Sequence, residues 1–148
     1  MAHKKKYLVV YNICGISGKD NSDYYVDALK TIRDQKYQDY KLAISACRNP
    51  TDQLNKIKHS CSVDFINSTE DTLPVNITFN DTVRECIAEY GEFDAYLYLD
   101  SGVKFTETDQ LGNLIELYES GNYGMVSAQV DNDFGWCWFG LNEYARPR

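Results

Sequence analysis

Asp100-Ser101-Gly102 follows the strand-forming run Tyr96-Leu97-Tyr98-Leu99 and delivers one carboxylate into a glycine turn. A carboxylate there can accept hydrogen bonds from a sugar or ribose hydroxyl, or give oxygen to a hard divalent cation. Asp-Ser-Gly is also ordinary turn composition, so the weight of the reading falls on the surrounding elements. Two further polar groups follow apolar runs. Tyr11-Asn12 ends the first, and Asp131-Asn132-Asp133 follows the last. Asp131 and Asp133 are candidates for a general base or a further metal ligand, and equally for a solvated hairpin turn.

Other chemistry is less well supported. Gly15 and Gly18 sit in a loop that suggests a phosphate cradle, but a P-loop needs glycine at 13 and Ser or Thr at 20, where Ile13 and Asp20 stand. The dinucleotide fingerprint fails on its third glycine and on spacing. Five widely spaced cysteines, Cys14, Cys47, Cys61, Cys86 and Cys137, form no C-x-x-C pair, and two histidines are too few to complete a metal site with them. They read as reduced, buried thiols of a cytoplasmic protein. Cys47 has no histidine argued to stand beside it, and His59 in its polar stretch reads as a surface residue. Three Asn-x-Thr/Ser sequons matter only in a secreted chain and are taken as chance.

The elements that must position Asp100 follow from hydrophobic periodicity. Residues 6–12 read as a strand covered on both faces. A helix capped by Ser22 or Asp23 runs to about Gln35, with Tyr25, Ala28, Leu29 and Ile32 on one face, and leads into a strand at 41–45. A turn around Pro50 opens a short helix from Thr51 or Asp52 to about Lys58. A strand is expected at 63–67, then a polar loop through Pro74. The next helix is expected to open at Asn80 or Asp81, bury Val83, Cys86, Ile87 and Tyr90, and end at Gly91. After the Asp100 strand, Thr106 with Asp109 starts a helix that buries Leu111, Leu114, Ile115 and Tyr118 and ends before Gly121. A last strand at 123–130 precedes Phe134-Gly135-Trp136-Cys137-Trp138-Phe139, whose aromatics suit a core, a sugar-stacking platform or an exposed contact patch.

The alternation of strand and helix argues for an α/β sandwich with a mostly parallel sheet, in which ligands bind beyond the carboxyl ends of the strands. At 148 residues one domain is expected. A net charge of −7 removes the electrostatic source of nonspecific nucleic-acid binding, and Lys4-Lys5-Lys6 reads as a solvated arm. No apolar run is long enough to span a bilayer or to serve as a signal peptide, so a soluble, cytoplasmic protein is expected.

In this order the features resemble the nucleotide-binding half of GT-A fold glycosyltransferases, particularly inverting family 2. The resemblance rests on Tyr11-Asn12 closing the first strand, on Gln35-Lys36-Tyr37-Gln38-Asp39-Tyr40 before the second, and on Asn80 and Gly91 in a helix before Tyr96-Leu97-Tyr98-Leu99-Asp100-Ser101. It covers about residues 6–130 by pattern. It implies a three-layer sandwich in which Tyr11, Asn12, Asn80, Asp100 and Ser101 bind a nucleotide-sugar donor. Asp100 would also hold a divalent cation, Mn or Mg, and Asp131 or Asp133 would serve as the catalytic carboxylate. The implied activity is transfer of a hexose from a UDP- or GDP-type donor to an acceptor, with inversion. The alternative is a catalytically inactive nucleotide-binding or assembly module, partnered through its aromatic C-terminal region as a homo-oligomer or with another protein. Gly102 stands where the family's last motif Asp belongs, the second strand lacks its acidic end residue, and the family's acceptor-binding region is not expected within these 148 residues.

Overall fold

The computed structural model describes residues 4–15, 20–121 and 123–126, together with the backbone of 129–130 and 137–138. Four strands, β1 (Tyr7–Cys14), β2 (Tyr40–Cys47), β3 (Phe65–Thr69) and β4 (Ala95–Leu99), form one parallel sheet in the order β3-β2-β1-β4. Helices α1 (Ser22–Arg33), α2 (Thr51–Cys61), α3 (Val75–Tyr90) and α4 (Gln110–Ser120) follow the strands in turn. The expected α/β architecture with a mostly parallel sheet is therefore present.

β1 carries no polar alternation because both of its faces are covered. Val9, Tyr11 and Ile13 pack with Tyr25, Ala28, Leu29 and Ile32 of α1, with Ile57 of α2 and with Leu111 of α4. Leu8 and Val10 turn to the other face and meet Cys86 of α3 and Phe93. The result is helix, sheet and helix in three layers.

Several boundaries differ from the sequence expectations, each for a local reason. β1 and β2 run two residues further than expected, to Cys14 and Cys47, because Ile13, Ala46 and Cys47 are buried and keep pairing. β3 is displaced two residues toward Thr69, since Asp64 is used as a tie: its carboxylate accepts from the Leu42 amide at 2.8 Å and pairs with Arg33 at 3.2 Å. α1 ends at Arg33 and α2 continues to Cys61.

α3 opens at Val75, five residues before Asn80, with Pro74 in the cap position. A proline is at home at a helix start, where its missing N–H costs nothing. The face of α3 that reaches the sheet is Thr78, Thr82 and Cys86, four apart. Thr82 Oγ1 donates to the Thr78 carbonyl at 2.8 Å and Thr78 Oγ1 to the Val75 carbonyl at 3.0 Å, so two hydroxyls are buried without loss.

α4 starts at Gln110, not at Thr106. Its Gln110 side chain reaches back, accepting from the amides of Thr106 (2.8 Å) and Glu107 (3.1 Å). The expected capping role thus passes from Asp109 to Gln110. Residues 123–126 are not strand, and β5 (Gln129–Val130) pairs antiparallel with β6 (Cys137–Trp138) in a separate two-stranded sheet. From the sequence, the strand before Asp100 reads as the central strand of the sheet. Among the described residues it is the sheet's edge.

The segment Gln35–Tyr40 lies at the amino-terminal end of the sheet, away from Asp100. Buried Gln35 donates to the Glu107 carbonyl at 2.7 Å and accepts from the Leu111 amide at 2.9 Å, stitching α4 to the end of α1. Tyr40 donates to the Ile32 carbonyl at 2.9 Å while Arg33 lies 5.3 Å over its ring. These residues hold the fold together at the end opposite the candidate site.

Candidate functional site

The carboxyl ends of β1, β2 and β4 lie side by side. Leaving β4, the chain makes a turn closed by the Val103 amide donating to the Asp100 carbonyl at 3.1 Å. Gly102 supplies a φ of +91° at its third position, the conformation that calls for glycine. The Asp100 carboxylate accepts from the Ser101 amide at 2.9 Å. Burial first, then the Asp100 charge, pushes the Tyr98 hydroxyl well above its ordinary range.

Two tyrosines hold this turn from different elements. The Gly102 amide donates to the Tyr11 hydroxyl oxygen at 2.9 Å. Tyr24, on the first turn of α1, reaches the Gly102 carbonyl at 3.4 Å, and Lys104 lies 5.0 Å over its ring. A Cβ at Gly102 would come within 2.5 Å of the Tyr24 hydroxyl oxygen. The left-handed backbone disfavours any side chain where the resemblance expects the second carboxylate, and one placed there would displace Tyr24. Burial raises the Tyr11 hydroxyl well above its usual range, although the Gly102 N–H opposes the shift.

Beside β1, the loop after β2 closes against the loop after β1. The Gly15 amide donates to the Cys47 carbonyl at 2.8 Å, and a Cβ on Gly15 would meet the Arg48 carbonyl oxygen at 2.2 Å. The glycine serves this close approach of two backbones. Arg48, in the left-handed region at φ 57°, donates its amide to the Thr69 carbonyl at 2.7 Å.

Around these loops lies a group of polar atoms removed from solvent and without a hydrogen-bond partner among the described residues. They are Asn12 Oδ1, Ser45 Oγ, both amide atoms of Asn49, and Gln53 Oε1. Asn12 and Ser45 are register neighbours on β1 and β2. Asn49 lies in the β2–α2 loop and Gln53 in the first turn of α2. Buried polar groups are nearly always paired, so these orphans, Asn12 and Ser45 on the face of the sheet toward α3 and Gln53 on the side of α2, are points where a ligand or water can complete the bonding.

The residues expected at the site are distributed as follows. Asp100, Ser101 and Tyr11 come together, but Tyr11 spends its hydroxyl on the turn. Asn12 lies inside β1 and is buried, not exposed in a loop after it. Asn80 is exposed within α3. Asp131, Asp133 and the 134–136 and 139 part of the aromatic run lie outside the described residues, and only the backbone of 137–138 is described. Ser45, Asn49 and Gln53 were passed over in the sequence. The available signal was a serine inside an apolar strand and an asparagine fixed before a proline.

Among the described residues no group of three His, Cys, Asp or Glu side chains is placed to hold a metal ion. A hard cation needs several oxygens. Asp100 gives one carboxylate and Gly102 can give none, so the described donor set does not fit Mn or Mg. Cys47, Cys61 and Cys86 are free thiols. Cys47 Sγ donates to the Asp71 carbonyl at 3.1 Å, and burial pushes the Cys86 thiol up to about 11. Neither has the environment of a nucleophile. His59 is exposed, its Nδ1 2.6 Å from the Asn55 carbonyl oxygen. Among the described residues no helix is long and apolar enough to cross a membrane. The chain matches no family model and no curated protein at a significant level.

Proposed function

We propose that this chain binds a nucleoside diphosphate sugar across the carboxyl ends of β2, β1 and β4, as a GT-A-like glycosyltransferase domain. The observation that carries the reading is the orphaned Asn49 carboxamide, donor and acceptor together, in the loop after β2, with β1 between that strand and β4, which leads to Asp100. Two strand spacings are about 10 Å, a distance suited to a nucleoside with its base at Asn49 and its ribose and diphosphate toward Asp100. Asn49 and Gln53 would then read the hydrogen-bonding edge of the base, and Asp100 would accept from ribose or sugar hydroxyls.

Transfer of the sugar with inversion needs a carboxylate that takes the acceptor's hydroxyl proton as the diphosphate leaves. That role is assigned to Asp131 or Asp133. No step is routed through a divalent cation, because the described donor set does not fit one.

A second reading is favoured by Gly102, which stands in place of the usual second carboxylate at a φ of +91° that disfavours any side chain. On it the domain binds nucleotide or assembles with a partner and transfers nothing. Incubation with a panel of UDP- and GDP-sugars, following release of nucleoside diphosphate, separates the two. Turnover abolished by Asp100→Asn supports the transferase, binding without turnover supports the nucleotide-binding module, and neither binding nor turnover defeats both of these and leaves assembly with a partner.

A further inference from the structure

A diphosphate drawn toward the Asp100 carboxylate brings like charges together, and the described donor set does not fit a hard cation that would offset them. A positive side chain at the same turn can do so. Lys4, Arg33, Lys36, Lys41, Lys56 and Arg84 are each paired with a carboxylate. Lys104, which follows Asp100 closely in the chain, is paired with no carboxylate among the described residues.

The backbone on both sides of Lys104 is fixed. Val103 and Phe105 pack against the core, and the Phe105 amide donates to Thr31 Oγ1 at 3.0 Å, while Lys104 itself stays exposed. Its ammonium lies 5.0 Å over the ring of Tyr24, whose hydroxyl reaches the Gly102 carbonyl at 3.4 Å. These contacts tie the ammonium to the Asp100-Ser101-Gly102 turn. An aromatic ring orients a cation without cancelling its charge, whereas a carboxylate would do both. The charge of Lys104 is thus positioned and still available.

We infer that Lys104, steered by Tyr24, is the positive group that receives the diphosphate of a nucleotide at the carboxyl end of β4, and that a nucleoside diphosphate binds there without a divalent cation. The inference rests on the nucleotide-binding reading and names, within it, the residue that pairs with the phosphates. Pairing of an ammonium with phosphate is charge-assisted and stronger than an exposed contact with a ring, so Lys104 can leave Tyr24 for the ligand.

Calorimetric titration of the full chain with UDP, GDP, uridine and guanosine, in EDTA and again with Mn²⁺, tests the assignment. A nucleoside diphosphate should bind in EDTA, and Mn²⁺ should not tighten it. Lys104→Met should weaken the diphosphate about tenfold and leave the matching nucleoside unchanged, while Lys104→Arg, which keeps the charge, should retain most of the affinity. Added salt should weaken binding by the parent protein more than binding by Lys104→Met. Lys5→Met, which removes the same charge ahead of β1 at the other end of the sheet, should bind like the parent. Lys104 is exposed, so its variants should keep the parent's melting temperature. Diphosphate binding that requires Mn²⁺ would overturn the proposal, as would equal binding by Lys104→Met and Lys5→Met, or a loss shared by the diphosphate and its nucleoside. In each of those cases the nucleotide site itself stands. Binding of none of these ligands, with or without Mn²⁺, overturns the nucleotide site and the assignment of Lys104 together.

Discussion

The Gly102 amide donates to the Tyr11 hydroxyl at 2.9 Å, joining a turn at the end of β4 to the buried middle of the neighbouring strand β1. The bond crosses from one strand's loop to another strand's core side chain. It therefore fixes the height and orientation of the Asp100 carboxylate two residues earlier.

Tyr11→Phe keeps the ring in its packed position and deletes only the acceptor. Leaving the partly buried Gly102 N–H unpaired should cost about 1–3 kcal/mol. Chemical denaturation measures it, with an unchanged dependence on denaturant showing that compactness is preserved.

Gly102→Ala tests the turn from the other side. A left-handed backbone carrying a Cβ costs on the order of 1–3 kcal/mol, and the new methyl also displaces Tyr24. A lower Tm is expected. Gly102→Asp should be no better tolerated, and restored metal affinity in it would contradict the conformational account of this position.

The buried tyrosines set the alkaline limit of the fold. Burial raises Tyr11 and Tyr98 above their ordinary value of 10.0, so both bind protons more tightly folded than unfolded. Their stabilisation is complete below pH 10 and declines as pH rises above it, since the unfolded chain ionises first. Tyr11 alone should remove about 1.4 kcal/mol per pH unit beyond that point. Denaturation midpoints between pH 8 and 11.5 should be flat at first and then fall, and the fall should be shallower in Tyr11→Phe.

Asn49→Ala removes a carboxamide that has no partner among the described residues. Deleting an unpaired buried polar group relieves a cost, so stability should be unchanged or higher by about 1 kcal/mol. A large loss, read by thermal denaturation, would mean that Asn49 is structural.

The fold was legible where burial is apolar and periodic. Tyr25, Ala28, Leu29 and Ile32 announced α1, and Tyr7–Tyr11 announced β1. It was hidden where polar residues are buried and satisfied: Thr78 and Thr82 make the inner face of α3, so its first five residues passed for loop. The edge position of β4 depends on which strands pair, which local patterns do not encode. The Asp100 turn was visible from its composition. The part played by Tyr11 was not, because its acceptor role depends on Gly102, 91 residues away in sequence. Ser45, Asn49 and Gln53 were invisible for a related reason. A polar residue signals a site only once its burial and lack of a partner are known.

The most direct measurement is calorimetric titration of the protein and of Asn49→Ala with UDP- and GDP-sugars. Saturable binding to the parent protein is expected, weakened about tenfold, or about 1.4 kcal/mol, in an equally stable Asn49→Ala. No binding of any nucleotide sugar, or equal binding by both proteins, would contradict a nucleotide site at the carboxyl ends of β2 and β4.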